Sequence, residues 1–359
     1  MLVPAGARWD CRGCAKCCHH HVLGPVEPEI VRGIEAFGVD KLWPDGDGRP
    51  WVVQQDRDTG EGAYLEKVDG HCVFLQPDGG CAVHAAMGAA AKPGFCREYP
   101  FTVMREPRGV SVTVREGCGG AAESSLDGRL LEDHAQEVLD LPRAYPIPTF
   151  SPKHVVLVPG LGVELDDWIV LEDALVNDVL EHDRQPAAHM AAMRALVLRS
   201  VRRPVTPPVP EKVTQATEAL LHVFGLVLDD VLQNDGGSPA EQAFSRRLLG
   251  NVARARAMLP LGVPELDRSG RDFDSLIIRS FLLGKRFAQD GGVAAGLGLL
   301  LHSLHTSALA SGVMPGQPVS AEALSVVFSD HVRLIHNRSL QPIRKKARPA
   351  LVDMFLHAV

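Results

Sequence analysis

The chain has 359 residues, 45% of them hydrophobic and 23% charged, with a formal net charge of −7. That length accommodates two domains with buried cores, and the composition excludes wholesale disorder. The acidic balance argues against nucleic acid as a partner.

The opening "MLVPAGARWD" shows no basic stretch followed by an apolar one, which predicts a cytoplasmic protein with reduced thiols. "CRGCAKCCHHH", residues 11–21, follows at once. "PEIVRGIEAFG", 28–38, sets Ile30, Val31, Ile34 and Phe37 at helical spacing and stops at Gly38. Short strands are expected at "WVVQQ" (51–55), "AYLEKV" (63–68) and "CVFLQ" (72–76), separated by the turn formers of "PDGDGRP" and "QPDGGC". "FTVMREPRGVSVTVREGC", 101–118, predicts a hairpin turning at Pro107-Arg108-Gly109, and the small, polar "CGGAAESSLDG", 118–128, reads as a linker. Beyond it, helices are expected near 129–140, 166–182, 187–201, 210–234, 239–257, 272–288, 292–312, 320–337 and 345–357. The expected fold is α+β: a small irregular metal-stapled cysteine-cluster domain at 1–125, followed by an all-α helical domain at 126–359.

"GGVAAGLGLLLHSLHTSALASG", 291–312, comes closest to a membrane span. His302, Ser303, His305, Thr306 and Ser307 interrupt it well short of the ~18 apolar residues needed, so it is expected to be a buried helix, with no membrane partner. The basic runs "RSVRRP" (199–204) and "IRKKARP" (343–349) read as solvated helix ends.

All eight cysteines, at 11, 14, 17, 18, 72, 81, 96 and 118, lie in the first third of the chain, and they form one unit. Cys11, Cys14 and Cys17 have the C-x2-C-x2-C spacing with which a loop wraps three thiolates around one centre. Neighbouring side chains diverge, so one of Cys17 and Cys18 serves that centre while the other faces a second ligand set. Cys72, Cys81, Cys96 and Cys118 join only through tertiary folding. Eight thiols fit two four-ligand sites, or one cluster plus one mononuclear site. His84, three residues after Cys81 in "CAVH", is a further candidate ligand; His19, His20 and His21 are weaker ones. The spacing favours an iron–sulfur cluster, 4Fe–4S in type, over zinc. Structural zinc, disulfides and redox-active free thiols remain alternatives. The C-x3-C-x2-C spacing of radical S-adenosylmethionine enzymes is absent.

"CRGCAKCC", "CVFL" (72–75), "CAVH" (81–84) and "KPGFCREYPF" (92–101), taken in order, resemble the YkgJ-type CxxCxxCC cysteine-cluster family, described as a zinc- or iron-chelating domain. The resemblance covers roughly residues 8–120. It implies Cys11, Cys14, Cys17, Cys18, Cys72, Cys81, Cys96 and Cys118 as metal ligands, with Lys92, Pro93, Arg97, Tyr99 and Pro100 framing Cys96. The chain departs from the pattern in the long gap "AAMGAAA" between His84 and Lys92. Some proteins with this module and a longer helical tail resemble flagellin lysine N-methylases, described as carrying an iron–sulfur cluster and using S-adenosylmethionine. "IIRSFLLGKRFAQD" (277–290) and "FSDHVRLIHNRSLQPI" (328–343) echo that tail faintly.

Other constellations fail. "VLVPGLGVELDD", 156–167, has glycines after an apolar run, but no β/α alternation follows it, and a chance match is the better reading. No phosphate-binding P-loop, H-E-x-x-H pair or G-x-S-x-G elbow occurs. His302, His305, His331 and His336 read as satisfied helix histidines, and Asp166-Asp167 and Asp229-Asp230 as helix caps or surface charge. Three tyrosines do not make a base-stacking surface. Two functions stand open: an iron–sulfur-dependent enzyme modifying a protein substrate, methylase-like and using S-adenosylmethionine, or a non-catalytic zinc-stabilised scaffold that docks a partner. No catalytic or cofactor-binding residue is assigned by the sequence.

Overall fold

The computed structural model describes residues 1–20, 23–54, 62–141, 146–207, 209–234, 239–314, 316–336 and 341–357. The chain begins by laying Leu2 beside Ser111, then forms β1 (Arg8–Trp9) and, after the cysteine loop, the short helix α1 (Lys16–His20). α2 (Pro28–Phe37) starts with proline in its first turn and stops at Gly38, whose φ of 106° no L side chain adopts comfortably. α3 (Val39–Leu42) follows directly. β2 (Val52–Gln54) pairs with β3 (Ala63–Leu65), and β4 (Lys67–Val68) with β5 (His71–Cys72). α4 (Ala82–Met87) and α5 (Gly94–Glu98) lead into the hairpin of β6 (Phe101–Glu106) and β7 (Gly109–Val114). Next come α6 (Ala121–Ser124), β8 (Arg129–Leu130), α7 (Leu131–Leu139), and the hairpin of β9 (His154–Val158) and β10 (Leu161–Glu164).

Eight longer helices complete the chain: α8 (Leu165–Glu181), α9 (Pro186–Ser200), α10 (Pro210–Asn234), α11 (Pro239–Met258), α12 (Arg268–Leu283), α13 (Val293–Ala310), α14 (Ala321–His336) and α15 (Gln341–Leu356). Every strand pair among the described residues is antiparallel and two-stranded. This is the α+β organisation expected, with one hairpin, β9–β10, placed ahead of the helices. The glycines of "VLVPGLGVELDD" serve that hairpin: Gly160 turns it with φ 76°, and no parallel crossover follows. Asp166 and Asp167 stand exposed in the first turn of α8, where they complement the helix dipole.

The apolar interior divides into two clusters. The smaller is built from residues 23–83, with Ile34, Trp43, Trp51, Leu65, Cys72 and Phe74 at its centre. The larger takes in β1, the β6–β7 hairpin, Cys118 and α6 together with the helices. The cores therefore divide elsewhere than at residue 125. The 118–128 segment is not a linker: Ala121 and Ala122 are fully buried, and β1 pairs across β8 with Trp9 opposite Arg129. Its residues are small because space is short there. A Cβ on Gly128 would stand 2.8 Å from the Trp9 carbonyl carbon.

α13 is long and apolar enough to cross a membrane, but every one of its residues is buried within the chain's own fold. It packs against α9, α10, α11, α14 and α15. Gly296 lets Phe287 approach closely, and Gly298 does the same for the backbone of Leu351 on α15.

A buried ionic cluster fastens the hairpin to the helices. Lys285 follows α12 in a left-handed conformation, φ 55°, and donates to Glu106 Oε1 on β6 and to Glu172 Oε2 on α8, each at 2.8 Å. Arg108, in the hairpin turn, reaches Glu106 at 3.1 Å and also pairs with Glu172 and Asp173. Lys285, Glu106 and Glu172 are all buried. Burial raises the Glu172 carboxyl above its ordinary range, and Lys285 opposes that shift. Removing the ammonium leaves two desolvated carboxylates with one remaining counter-charge. Lys285→Met is expected to cost about 3 kcal/mol or more, read as a lowered denaturation midpoint in urea.

His302, His305 and His331 each leave a buried ring nitrogen without a hydrogen-bond partner among the described residues, and the side chain of His336 lies outside them. His302 is fully buried on α13, stacked on Phe224 of α10 at 5.5 Å and 5.2 Å from the His331 ring on α14. Neither of its ring nitrogens has a hydrogen-bond partner among the described residues. Burial pushes His302 well below its ordinary pKa, with the neighbouring His331 and His305 adding to the shift, and burial lowers His305 and His331 to about 4. With folded values below the unfolded ~6.5, the unfolded chain binds more protons in the interval. Stability is therefore full above pH ~6.5 and declines as pH falls toward 4, by roughly 3 kcal/mol for each of His305 and His331, with His302 acting in the same direction. His302→Leu is expected to raise stability at pH 7 by about 1 kcal/mol, because an unpaired polar group leaves the core. It should also flatten the decline between pH 6.5 and 5; chemical denaturation at several pH values measures both.

Candidate metal centre

The cysteine loop is shaped by two residues in left-handed conformations, Gly13 at φ 65° and Ala15 at φ 53°. The loop closes when Cys18 N donates to Ala15 O at 2.8 Å, placing Cys17 and Cys18 on α1. That helix packs on β5, which carries Cys72. The "QPDGGC" segment then doubles back: Gln76 N donates to Gly80 O at 2.9 Å, and Leu75 bridges Cys81. Gly79 is needed here, since its φ is 85° and an added Cβ would lie 2.9 Å from Gly13 O. The turn after Cys72 is thereby pressed against the loop between Cys11 and Cys14. The long "AAMGAAA" gap is absorbed by α4, which begins after Cys81, and by a single tight turn at Ala89–Ala91. α5 then presents Cys96. Its start is clamped by buried Glu27, whose two carboxylate oxygens each accept from Gly94 N at 3.0 Å.

Five thiols result around one cavity of about 280 Å³: Cys17, Cys18, Cys72, Cys81 and Cys96, with Lys92, Tyr99 and Arg115 in the same lining. Cys17 Sγ and Cys18 Sγ are 3.9 Å apart. That contact and burial raise the Cys18 thiol far above its ordinary pKa; burial raises Cys96 well above it, opposed by the Lys92 ammonium, and lifts Cys72 to about 11. Cys118 is buried beyond β7 beside the Trp9 indole, and burial lifts it to about 11 as well; Cys14 and Cys17 are the thiols nearest in its field. Cys14 Sγ would stand 3.3 Å from a Cβ on Gly119, so glycine there permits the loop's approach. Cys17 thus lies between two groups, the cavity set and the pair Cys14–Cys118. Among the described residues no three His, Cys, Asp or Glu side chains are yet grouped closely enough to hold a single metal ion.

The other candidates fall outside the cavity. Cys11 and Cys14 are exposed at the loop's outer side. His84 is exposed on α4 and does not line the cavity. His19 packs edge-on to His71 at 5.6 Å, while the His20 side chain and His21 lie outside the described residues. Arg115 was not expected in the lining. Its signal was "VREGC", a cation three positions before Cys118 at the end of a strand. A second cleft, of about 540 Å³, adjoins the loop's outer face, where Cys14, Lys16 and His19 meet α11 and α14.

The donor set suits a soft metal: thiols outnumber every other candidate ligand, and Lys92 and Arg115, two cations against the one carboxylate of Glu98 in the described lining, offset part of the negative charge that thiolates bring. In freshly stripped protein that keeps its helical circular dichroism, a maleimide at pH 8 is expected to alkylate Cys11 and Cys14 first. Cys72 and Cys118 should follow more than tenfold slower, because at a pKa of about 11 the thiolate fraction at pH 8 is about one in a thousand. Mass mapping over time reads the order, and equal rates would mean that the thiols are not enclosed.

No curated protein and no solved structure matches the chain. Residues 10–119 match a family model described as "CxxCxxCC: Putative zinc- or iron-chelating domain". The cysteine spacing, the four ordered motifs and the shared cavity agree with that match, and the N-terminal third of this chain is similar to the CxxCxxCC cysteine-cluster domains.

Proposed function

We propose that the module holds an iron–sulfur cluster and that the chain is an enzyme whose substrate cleft lies beside it. The observation that carries this reading is the five-thiol cavity. A mononuclear ion draws sulfurs to about 2.3 Å from one point, whereas a cluster has an inorganic core that itself occupies space and holds thiolates further apart. Five sulfurs lining one cavity of about 280 Å³ suit the second arrangement. Lys92 and Arg115 supply the positive charge that an anionic cluster needs in a partly buried site. When bound, the cluster would supply electron-transfer or Lewis-acid chemistry. The chain's own residues hold it, shield it and keep it anionic.

One observation favours zinc. The 3.9 Å between Cys17 Sγ and Cys18 Sγ is close to the edge of a tetrahedron of sulfurs around a zinc ion, about 3.8 Å for bonds of about 2.3 Å. Under that reading the helical region serves as a docking scaffold.

The methylase-like form of the enzyme reading, with S-adenosylmethionine and a protein substrate, gains little from its first echo. In 277–290, Lys285 belongs to the buried ionic cluster. The second echo fares better: Ser329 accepts from Lys16 at 2.7 Å, and Asp330 lines the adjoining cleft. Anaerobic purification followed by metal and sulfide analysis decides between the metals. The expected result is iron with acid-labile sulfide and absorbance near about 400 nm, lost in Cys96→Ser. Colourless protein with stoichiometric zinc overturns it. Equilibrium binding of S-adenosylmethionine to the same preparation tests the finer assignment, and no binding removes it.

A further inference from the structure

Beside the cysteine loop lies a cleft of about 540 Å³, a volume that fits a small organic ligand. One wall is the loop, presenting Cys14 and Lys16; the other is α11 and α14. On α11, Arg247, Asn251 and Arg254 follow one another at intervals of four and three, which puts them on one face of the helix. Among the described residues of the lining, three cations thus stand against one carboxylate, Asp330.

Asp330 brings one negative charge to the three cations. Arg247 meets it through Nε alone, at 2.8 Å. Arg254 donates through Nη1 to Ala310 O, the carbonyl end of α13, at 3.0 Å. Both guanidinium groups retain donors, in the fork geometry that matches a planar or tetrahedral oxyanion. Lys16 is held toward α14 by its bond to Ser329, so the third cation is fixed by the fold. Below the charges, Ala323, Val326 and Val327 form an apolar strip, and Val326 is 57% exposed.

We infer that this cleft binds a small molecule with a carboxylate or phosphate group held by Arg247 and Arg254 and an apolar part laid on Val326, its far end touching Cys14. The inference deepens the enzyme reading, since it gives the chemical class of the ligand taken beside the metal module. The oxyanion would enter between two positive arms of α11 and be covered by Lys16. Asn251 supplies a neutral donor at mid-height.

Calorimetric titration tests it on the protein as purified, at constant ionic strength set with sodium chloride. The probes are pyrophosphate and succinate, whose relative affinity tells a phosphate ligand from a carboxylate one. One anion per chain should bind saturably, and Arg247→Gln and Arg254→Gln should each weaken it about tenfold or more. Arg256→Gln removes the same charge from an exposed position of α11 outside the cleft and should change affinity less than twofold. Absence of saturable binding by either probe overturns the inference, and so does an equal loss in Arg256→Gln. Metal content is measured on every sample. A metal-free chain that still binds the anion defeats the cluster reading and leaves the cleft, whereas a metal-loaded chain that binds none does the reverse.

Discussion

Sulfur convergence at the seam between two apolar cores is the constraint on which the rest of the structure depends. The chain leaves the larger core after β1, crosses through the cysteine loop into the smaller one, and returns through α5 toward β6. Both crossings carry thiols: Cys11, Cys14, Cys17 and Cys18 on the way out, Cys96 on the way back. Cys72 and Cys81 come from the smaller core and Cys118 from the larger. A metal centre gathered from these residues would therefore weld the cores, and without it the seam thiols supply no crosslink between them. Metal binding and closure of the seam should be a single event for that reason.

The charged groups around the seam are arranged to the same end. Arg115 reaches the thiol cavity from the end of β7, while its neighbour Glu116 holds Arg286, which follows α12, at 3.0 Å. A single peptide unit, about 3.8 Å between Cα atoms, separates a cation that faces sulfur from an anion that faces the helices. Lys285, next in sequence to Arg286, grips the β6–β7 hairpin from the opposite side through Glu106. The hairpin is thus clamped by helical residues on its core side while its cavity side is left to the thiols. Burying these charges is costly, and Glu116 with Arg286 and Glu106 with Lys285 pair across the junction, while Arg115 donates to Phe101 O within the hairpin. The arrangement specifies how the hairpin meets the helices more than it adds net stability.

Local pattern made much of this legible and tertiary pairing hid the rest. The stop of α2 at Gly38, the turn at Pro107-Arg108 and the long helices were readable because glycine geometry and the 3.6-residue period act within a few residues. The 118–128 segment misled for a physical reason: small residues signal flexibility in a linker, yet they equally signal tight packing, and only the distant partners Trp9 and Lys16 decide which. The cysteines announced a metal by their spacing, but the sharing of Cys17 between two groups depends on where Cys118 comes to lie, a hundred residues further on. The unpaired state of His302 is invisible in the sequence because nothing local reveals that α10 offers it a phenyl ring and no acceptor among the described residues.

The position of the cleft follows from the same seam. Because the loop between Cys11 and Cys18 is the crossing, it has an inner face toward the cavity and an outer face toward α14, where Lys16 is tied to Ser329. Any change at the inner sulfurs that shifts α1 must move Lys16 and Cys14 relative to α11, since Cys14, Lys16, Cys17 and Cys18 ride on one short segment. Conversely, a ligand that draws Lys16 toward the arginines of α11 pulls on the helix carrying Cys17 and Cys18. Cleft and metal centre are two sides of one element only eight residues long, and coupling between them needs no longer path than that.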